Sequence, residues 1–237
     1  MSSNPSKRVV LITGANGGLG RALVAEFAAH HWQVVAGVRQ SVEIPDATSV
    51  TLDVTHSSQV EQAITETVQR FGRIDALINN AGLVADNLCT GMSDEDWTRV
   101  VDVNLRGAFL CAKAIARQML RQRDGHIINI SSLAARSALR GRSNYAAAKA
   151  GLVGLTHSLA KELGSRNVRV NAIFPGLMPT KMTATLSAEQ LDAFAKANAL
   201  GRINSVEEVA RFIAFLATTQ NISGQVFALD SRIAPWT

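Results

Sequence analysis

Short apolar runs alternate along the chain with longer stretches in which apolar residues recur every three or four positions. The runs are Val9–Thr13, Gln33–Val38, Val50–Asp53, Ala76–Asn79, His126–Ser132, Val168–Phe174 and Gly224–Leu229. Short, continuously apolar runs of this kind read as strands buried on both faces, the signature of a parallel sheet. Between them the helical period runs over Arg21–His30 and over Ser57–Phe71, the latter with Val60, Ala63, Ile64, Thr67, Val68 and Phe71 on one stripe. Ser93-Asp-Glu-Asp96 resembles a capping box opening a long helix to about Arg123. Further helices are predicted from Tyr145 to about Gly164, from Ala188 to Ala199 and from Ser205 to Leu216. Only ten residues, Pro45 among them, separate Arg39 from Val50, too few and too broken for a crossover helix, so the helix between strands two and three is lost. Strands alternating with helices predict a doubly wound parallel sheet in the order 3-2-1-4-5-6 with a seventh strand added. On this reading residues 1–237 form a single α/β domain, with a lid over its site at about 180–203.

Composition narrows the function classes. A chain of 237 residues buries a full core as one large domain. Its 24 Lys and Arg against 19 Asp and Glu give a formal charge of +5, which favours acidic partners or ligands. No Lys/Arg run and no aromatic platform interleaved with basic residues accompanies that charge, so nucleic acid is not the expected partner. Cys89 and Cys111 have neither metal-ligand nor redox spacing and read as buried free thiols, and no metal site is predicted. The stretch Met1–Arg8 lacks the apolar core of a signal peptide, and no segment reaches the ~20 apolar residues of a membrane span, so a cytoplasmic location is expected.

Candidate chemistry lies at three places. Gly14-Ala-Asn-Gly-Gly18-Leu-Gly20 follows the first strand and opens the first helix. There Gly14 supplies a tight turn, Gly18 lets backbone approach a pyrophosphate, Gly20 permits close helix packing, and the helix start offers N–H groups to the anion. Arg39 follows the second strand where an acid would hold the ribose hydroxyls of NAD, and a guanidinium there suits the 2′-phosphate of NADP. Tyr145 and Lys149 stand four residues apart on one helix face, a spacing at which the cation and the positive helix end lower the phenol's pKa. Ser132, thirteen residues upstream, ends a strand where its hydroxyl can meet a substrate carbonyl. Ser, Tyr and Lys together point to carbonyl reduction. Arg136, Arg140 and Arg142 lie between the Ser and the Tyr, near the expected mouth of the site.

The spacing Thr13-Gly14-x-x-x-Gly18-x-Gly20, the run Asn79-Asn80-Ala81-Gly82 and the Ser132, Tyr145, Lys149 set resemble the short-chain dehydrogenase/reductase family, with its Rossmann-like fold. The resemblance implies that Gly14, Asn16, Gly18, Leu19, Gly20, Arg39, Asp53, Val54, Asn80, Ala81, Gly82, Tyr145, Lys149, Pro175, Gly176 and Thr180 hold NADPH or NADP. Asp53 and Val54 would meet the adenine ring, and Pro175, Gly176 and Thr180 the nicotinamide amide and the phosphates. Gly17 stands where NADP-users of the family often add a second basic residue. Asn104 is implied as a fourth catalytic residue at a helix kink, where a freed carbonyl holds a water of a proton relay.

Within the family, Asp86-Asn-Leu88, Ser93–Trp97, Asn144–Gly151, Met182-Thr183 and Leu186-Ser187 are similar to bacterial 3-oxoacyl-[acyl-carrier-protein] reductases. That implies acyl carrier protein as partner, docked by Arg123 and Arg166. Two alternatives share the motifs: an acetoacetyl-CoA or general ketone reductase, and a non-catalytic cofactor-binding partner of a second reductase. Apolar residues around most of the helix beginning at Tyr145 imply a homodimer or homotetramer. Asp230-Ser-Arg232 departs from the usual Asp/Asn-Gly-Gly and, with the tail after it, puts the usual tetramer contact in question.

Overall fold

In the computed structural model, which describes residues 7–137, 139–184 and 186–233, seven strands form one parallel sheet ordered β3-β2-β1-β4-β5-β6-β7. Met1–Ser6 and the tail 234–237 lie outside the described residues, so the readings of the leader and of the C-terminal tail stand as expectations. The elements follow in chain order β1 (Val9–Thr13), α1 (Gly18–Ala29), β2 (Gln33–Val38), β3 (Thr48–Thr51), α2 (Ser57–Phe71) and β4 (Ala76–Asn79). After them come α3 (Asp94–Val101), a π-helical turn (Asp102–Arg106), α4 (Gly107–Gln122), β5 (Gly125–Ile130), α5 (Ser143–Leu163) and β6 (Val168–Phe174). The chain closes with α6 (Ala188–Lys196), α7 (Val206–Leu216) and β7 (Val226–Ala228).

Alternation along the strands builds two apolar layers, because successive side chains point to opposite faces. Val10, Ile12, Val34, Ala36, Ile78 and Ile128 face α1 and α7, where Leu23, Phe27, Val209 and Ile213 meet them. Val9, Leu11, Val35, Leu77, Ile127 and Val170 face α2 and α4, where Val60, Ala63, Cys111, Ile115 and Met119 close the second layer. A buried polar chain runs between elements on this second side. Asn79 Nδ2 donates to Asn129 Oδ1 (2.8 Å), and Asn129 Nδ2 donates to Thr156 Oγ1 (2.9 Å), joining β4, β5 and α5.

Several boundaries differ from those the pattern predicts. β3 covers Thr48–Thr51 rather than Val50–Asp53, because an edge strand pairs with β2 alone and its first residues are polar and half exposed. No helix stands between β2 and β3, as the short connection requires. α1 begins inside the glycine turn, three residues before Arg21. β5 ends at Ile130, because Ser132 turns to cap a short 3-10 turn, its Oγ accepting from the Ala134 N–H (3.2 Å). β7 keeps only Val226–Ala228 of its predicted run, and α6 stops at Lys196. Cys111 is buried, and burial pushes its thiol up to about 12; Cys89 instead sits exposed in a 3-10 turn of the loop before α3. Among the described residues no helix is long and apolar enough to cross a membrane.

Candidate active site

The carboxyl edge of the sheet opens into a cavity of about 970 Å³, and every candidate catalytic and cofactor residue named from the sequence lines it. Doubly wound sheets place ligands at this edge, where the crossovers diverge. The cavity begins at the turn between β1 and α1. Gly14 has φ +65°, and a Cβ there would stand 2.9 Å from the Ala81 backbone, so only glycine fits both the turn and the neighbour. A Cβ at Gly20 would run into the Gly14 carbonyl oxygen, so α1 starts tight against its own turn. Gly18 also meets the far side of the cavity: a Cβ there would lie 3.0 Å from Thr180 Cγ2, so its smallness brings the turn against the segment after β6. The first turn of α1 carries no acidic side chain, which leaves its N–H groups and partial positive charge to an anion.

Thr13 and Asn80 fix that turn. Thr13 Oγ1 accepts from the N–H groups of Asn80 and Ala81, both at 3.0 Å, while Asn80 Nδ2 donates to Thr13 O (3.0 Å) and Gly14 O (3.1 Å). At the other side of the cavity floor Arg39 is exposed directly after β2. Its charge reaches Asp53, whose carboxyl lies below the ordinary range. Burial pushes that carboxyl up, but hydrogen bonds from the Thr55 N–H (2.9 Å) and Oγ1 (2.7 Å), with His56 and Arg39 nearby, outweigh it.

Tyr145 is the third residue of α5, in its first turn, packed against Val100 and Ala134 and 8% exposed. Lys149 lies one turn further, 4% exposed, its Nζ donating to Ile130 O (2.7 Å) and standing 5.5 Å from the centre of the Tyr145 ring. Ser131 Oγ donates to Lys149 O (2.7 Å), so the end of β5 and the helix are stitched together in both directions. The Ser132 hydroxyl lies near enough to the Tyr145 phenol to draw its pKa down.

The electrostatics correct one expectation. Tyr145 is not lowered; burial pushes the phenol up, more than the Ser132 hydroxyl and the Arg142 guanidinium draw it down, and Asp86 adds to the rise. Lys149 offers little help because burial drops its ammonium to about 7, leaving it partly neutral near neutral pH.

The long helix predicted from Ser93 is broken by the π-turn, and Asn104 sits within it, 1% exposed. Its Nδ2 donates to Val100 O (2.9 Å) and Leu83 O (2.8 Å), while its Oδ1 has no partner among the described residues. A Cβ at Gly82 would lie 2.8 Å from that Oδ1 and 3.7 Å from Lys149 Nζ, so the absent side chain opens one polar space between the asparagine and the lysine. π-turns inside helices commonly mark functional sites.

Of the three arginines near the mouth, Arg140 and Arg142 line the cavity and Arg136 does not. Arg142 is engaged with Asp86 (Nε 2.8 Å, Nη2 2.7 Å). Arg123 and Arg166 stand elsewhere. One caps α4 and the other precedes β6, both at the amino edge of the sheet, and Asn167 Nδ2 donates to Arg123 O (3.3 Å), which brings their segments together. Sequence reasoning assigned no site role to Thr13, Ser131 or Arg232. Thr13 and Ser131 act through short hydrogen bonds that no spacing reveals, and Arg232 also lines the cavity.

The residues present fit a pyrophosphate-linked dinucleotide: a glycine cradle at a helix start, a cation after β2, and a buried, unpaired acceptor beside a buried amine. Residues 8–191 match the family model described as short chain dehydrogenase. The chain is 43% identical to a 3-oxoacyl-[acyl-carrier-protein] reductase of a Synechocystis species, over 94% of this chain and 95% of that protein. It is 39% identical to the enzyme of that name from Thermotoga maritima, over 95% and 97%. Among solved structures, ElxO with NADP bound superposes with a TM-score of 0.87 at 28% identity, covering 95% of this chain and 98% of that one. Levodione reductase superposes at 0.89 with 32% identity, over 94% and 96%.

Proposed function

The chain belongs to the short-chain dehydrogenase family, and from that premise we propose that it reduces the 3-oxo group of an acyl thioester on acyl carrier protein. It is an NADP-dependent oxidoreductase. The observation that carries the proposal is the convergence of Ser132, Tyr145, Lys149 and Asn104 with the glycine cradle and Arg39 in one cavity. NADPH, when bound, supplies the hydride.

The chain's own groups do the rest. Ser132 orients the carbonyl oxygen, and Tyr145 protonates it. A phenol raised by burial is fully protonated at neutral pH, the state that reduction consumes. Lys149 holds the nicotinamide ribose and returns a proton to the phenol. Asn104 Oδ1 and Lys149 Nζ face a common polar space, which suits a water passing protons outward. Residues 180–203 serve as the lid, and Arg39 reads the 2′-phosphate. Assembly as a homodimer or homotetramer in the cytoplasm belongs to the same proposal, with Phe109 of α4 42% exposed; light scattering gives the subunit number.

Arg39→Asp puts an anion where the phosphate would lie and offers the ribose hydroxyls an acceptor. The NADPH/NADH ratio of kcat/KM is expected to fall at least about tenfold, a difference of ~1.4 kcal/mol. An unchanged ratio would remove Arg39 as the reader.

The deciding experiment compares kcat/KM with NADPH for one 3-oxoacyl group on acyl carrier protein, on CoA and as a simple ester. A preference for the carrier supports the proposal, and equal rates favour a general ketone reductase. In the same assay, reversing Arg123 and Arg166 to Glu is expected to lower the carrier-bound rate at least about tenfold and spare the ester. Charge at a docking surface acts on encounter, not on the reacting carbonyl. Equal losses on both substrates point to damaged folding, and no loss removes these arginines from docking.

A further inference from the structure

The strand order lays the site's groups along the carboxyl edge in sequence. Arg39 follows β2, Gly14 follows β1, Asn80 follows β4, Ser132 comes after β5, Gly176 after β6, and Arg232 after β7. Arg39 marks the end proposed for the ribose phosphate. Arg232 follows the strand at the other end of that order and lines the same cavity as Arg39. Gln190 and Phe194 of α6, in the proposed lid, line the same cavity, and the residues beside Arg232 are bonded to the end of that lid, which associates Arg232 with the substrate side.

Arg232 does not hang free over that cavity. Its Nε donates to Asp230 Oδ2 (2.7 Å) and its Nη2 reaches the same oxygen (2.7 Å), with the two side chains 21% and 7% exposed. Asp230 is itself seated on the turn after β6, since a Cβ at Gly176 would lie 2.9 Å from Asp230 Cβ. Ser231 ties the same segment to the end of the lid. Its N–H donates to Asn198 Oδ1 (3.1 Å), its carbonyl accepts from the Ala199 N–H (3.0 Å), and its Oγ accepts from the Leu200 N–H (3.2 Å).

The pairing decides what Arg232 can recognise. Asp230 cancels its charge, so the pair has little pull on a bare anion. A guanidinium has five N–H donors, and the two directed at Asp230 leave three held in a fixed plane. Fixed donors on a neutral pair suit an uncharged oxygen acceptor. We infer that Arg232 is a specificity-determining residue that hydrogen-bonds an uncharged carbonyl of the substrate, beyond the carbon being reduced. This rests on the thioester reading above, where the thioester and the amides of a carrier arm supply such carbonyls.

The test uses NADPH and two substrates: the 3-oxobutanoyl thioester of N-acetylcysteamine, which has thioester and amide carbonyls, and a cyclic ketone with no second carbonyl. Arg232→Met is expected to raise KM for the thioester about tenfold with kcat within about twofold, the pattern of lost uniform binding. The cyclic ketone and the KM for NADPH should not change, and Arg232→Lys should recover part of the loss. Because Arg232→Met strands a buried carboxylate, Asp230→Asn with Arg232→Met is measured beside it and should give the same split. The effect should be the same at 50 and 500 mM NaCl, since an uncharged acceptor is not screened. An unchanged thioester KM in both variants, equal losses on both substrates, or an altered NADPH KM overturns the inference. So does a loss that vanishes at high salt, which would mean an anionic handle. If the wild-type protein reduces the ketone but not the thioester, it is the proposed function that fails, whatever Arg232 does.

Discussion

Tyr145→Phe is expected to lower kcat by about 10²–10⁴ while NADPH still binds, because it deletes the proton donor and little else. The ring is held by Val100 and Ala134, and phenylalanine keeps those contacts, so only the hydroxyl beside Ser132 is lost. The melting temperature should move little. Lys149 stays anchored on Ile130 O, which does not depend on the phenol. Fluorescence titration with NADPH reports binding, and steady-state reduction of the thioester reports chemistry. Turnover near that of the wild type would mean that some other group protonates the carbonyl oxygen, and the mechanism would have to be abandoned.

How much of this was legible in the sequence follows from where the information lies. Strands buried on both faces must be apolar without a break, so β1, β2, β4 and β6 are visible as runs with their observed ends. An edge strand has no such obligation, which is why β3 is displaced toward its apolar half. The glycine cradle was legible because a positive φ at Gly14 and the contact at Gly20 admit no other residue. The role of Gly18 against Thr180 depends on a segment more than 150 residues away, and no local pattern encodes it. The same holds for Asn79, Asn129 and Thr156, each unremarkable in its own element and satisfied only once β4, β5 and α5 meet. The Tyr145 and Lys149 spacing showed that the two share a face. It did not show the burial, which reversed the expected direction of the phenol's shift. Arg232 was visible as a departure, but its place at the cavity comes from β7 being the outermost strand.

Lys149→Met is expected to abolish most activity and, below pH 7, to make the folded protein more stable. The lysine is buried, and burial lowers its ammonium from 10.5 to about 7. Between those values the unfolded chain holds a proton on this residue that the folded chain does not, so stability rises with pH through the window. The cost of the buried charge is thus complete below about pH 7 and is relieved progressively toward 10.5. Methionine fills a similar volume and carries no charge, but it leaves the Ile130 carbonyl without the lysine's hydrogen bond, at about 1–3 kcal/mol. That loss does not depend on pH, whereas the relief does. The stability difference between variant and wild type should therefore shrink from pH 6 to pH 9.5 by roughly 3 kcal/mol, each pKa unit being worth about 1.4 kcal/mol. Urea unfolding at pH 6, 7, 8 and 9.5 measures it, and staying below pH 10 keeps Tyr145 protonated in both proteins. A difference that is flat with pH would mean that Lys149 keeps an ordinary pKa in the fold. The expected slope would show instead that a buried amine is retained at a cost in stability for the contact it makes beside Tyr145, which hydrophobic packing alone would not select.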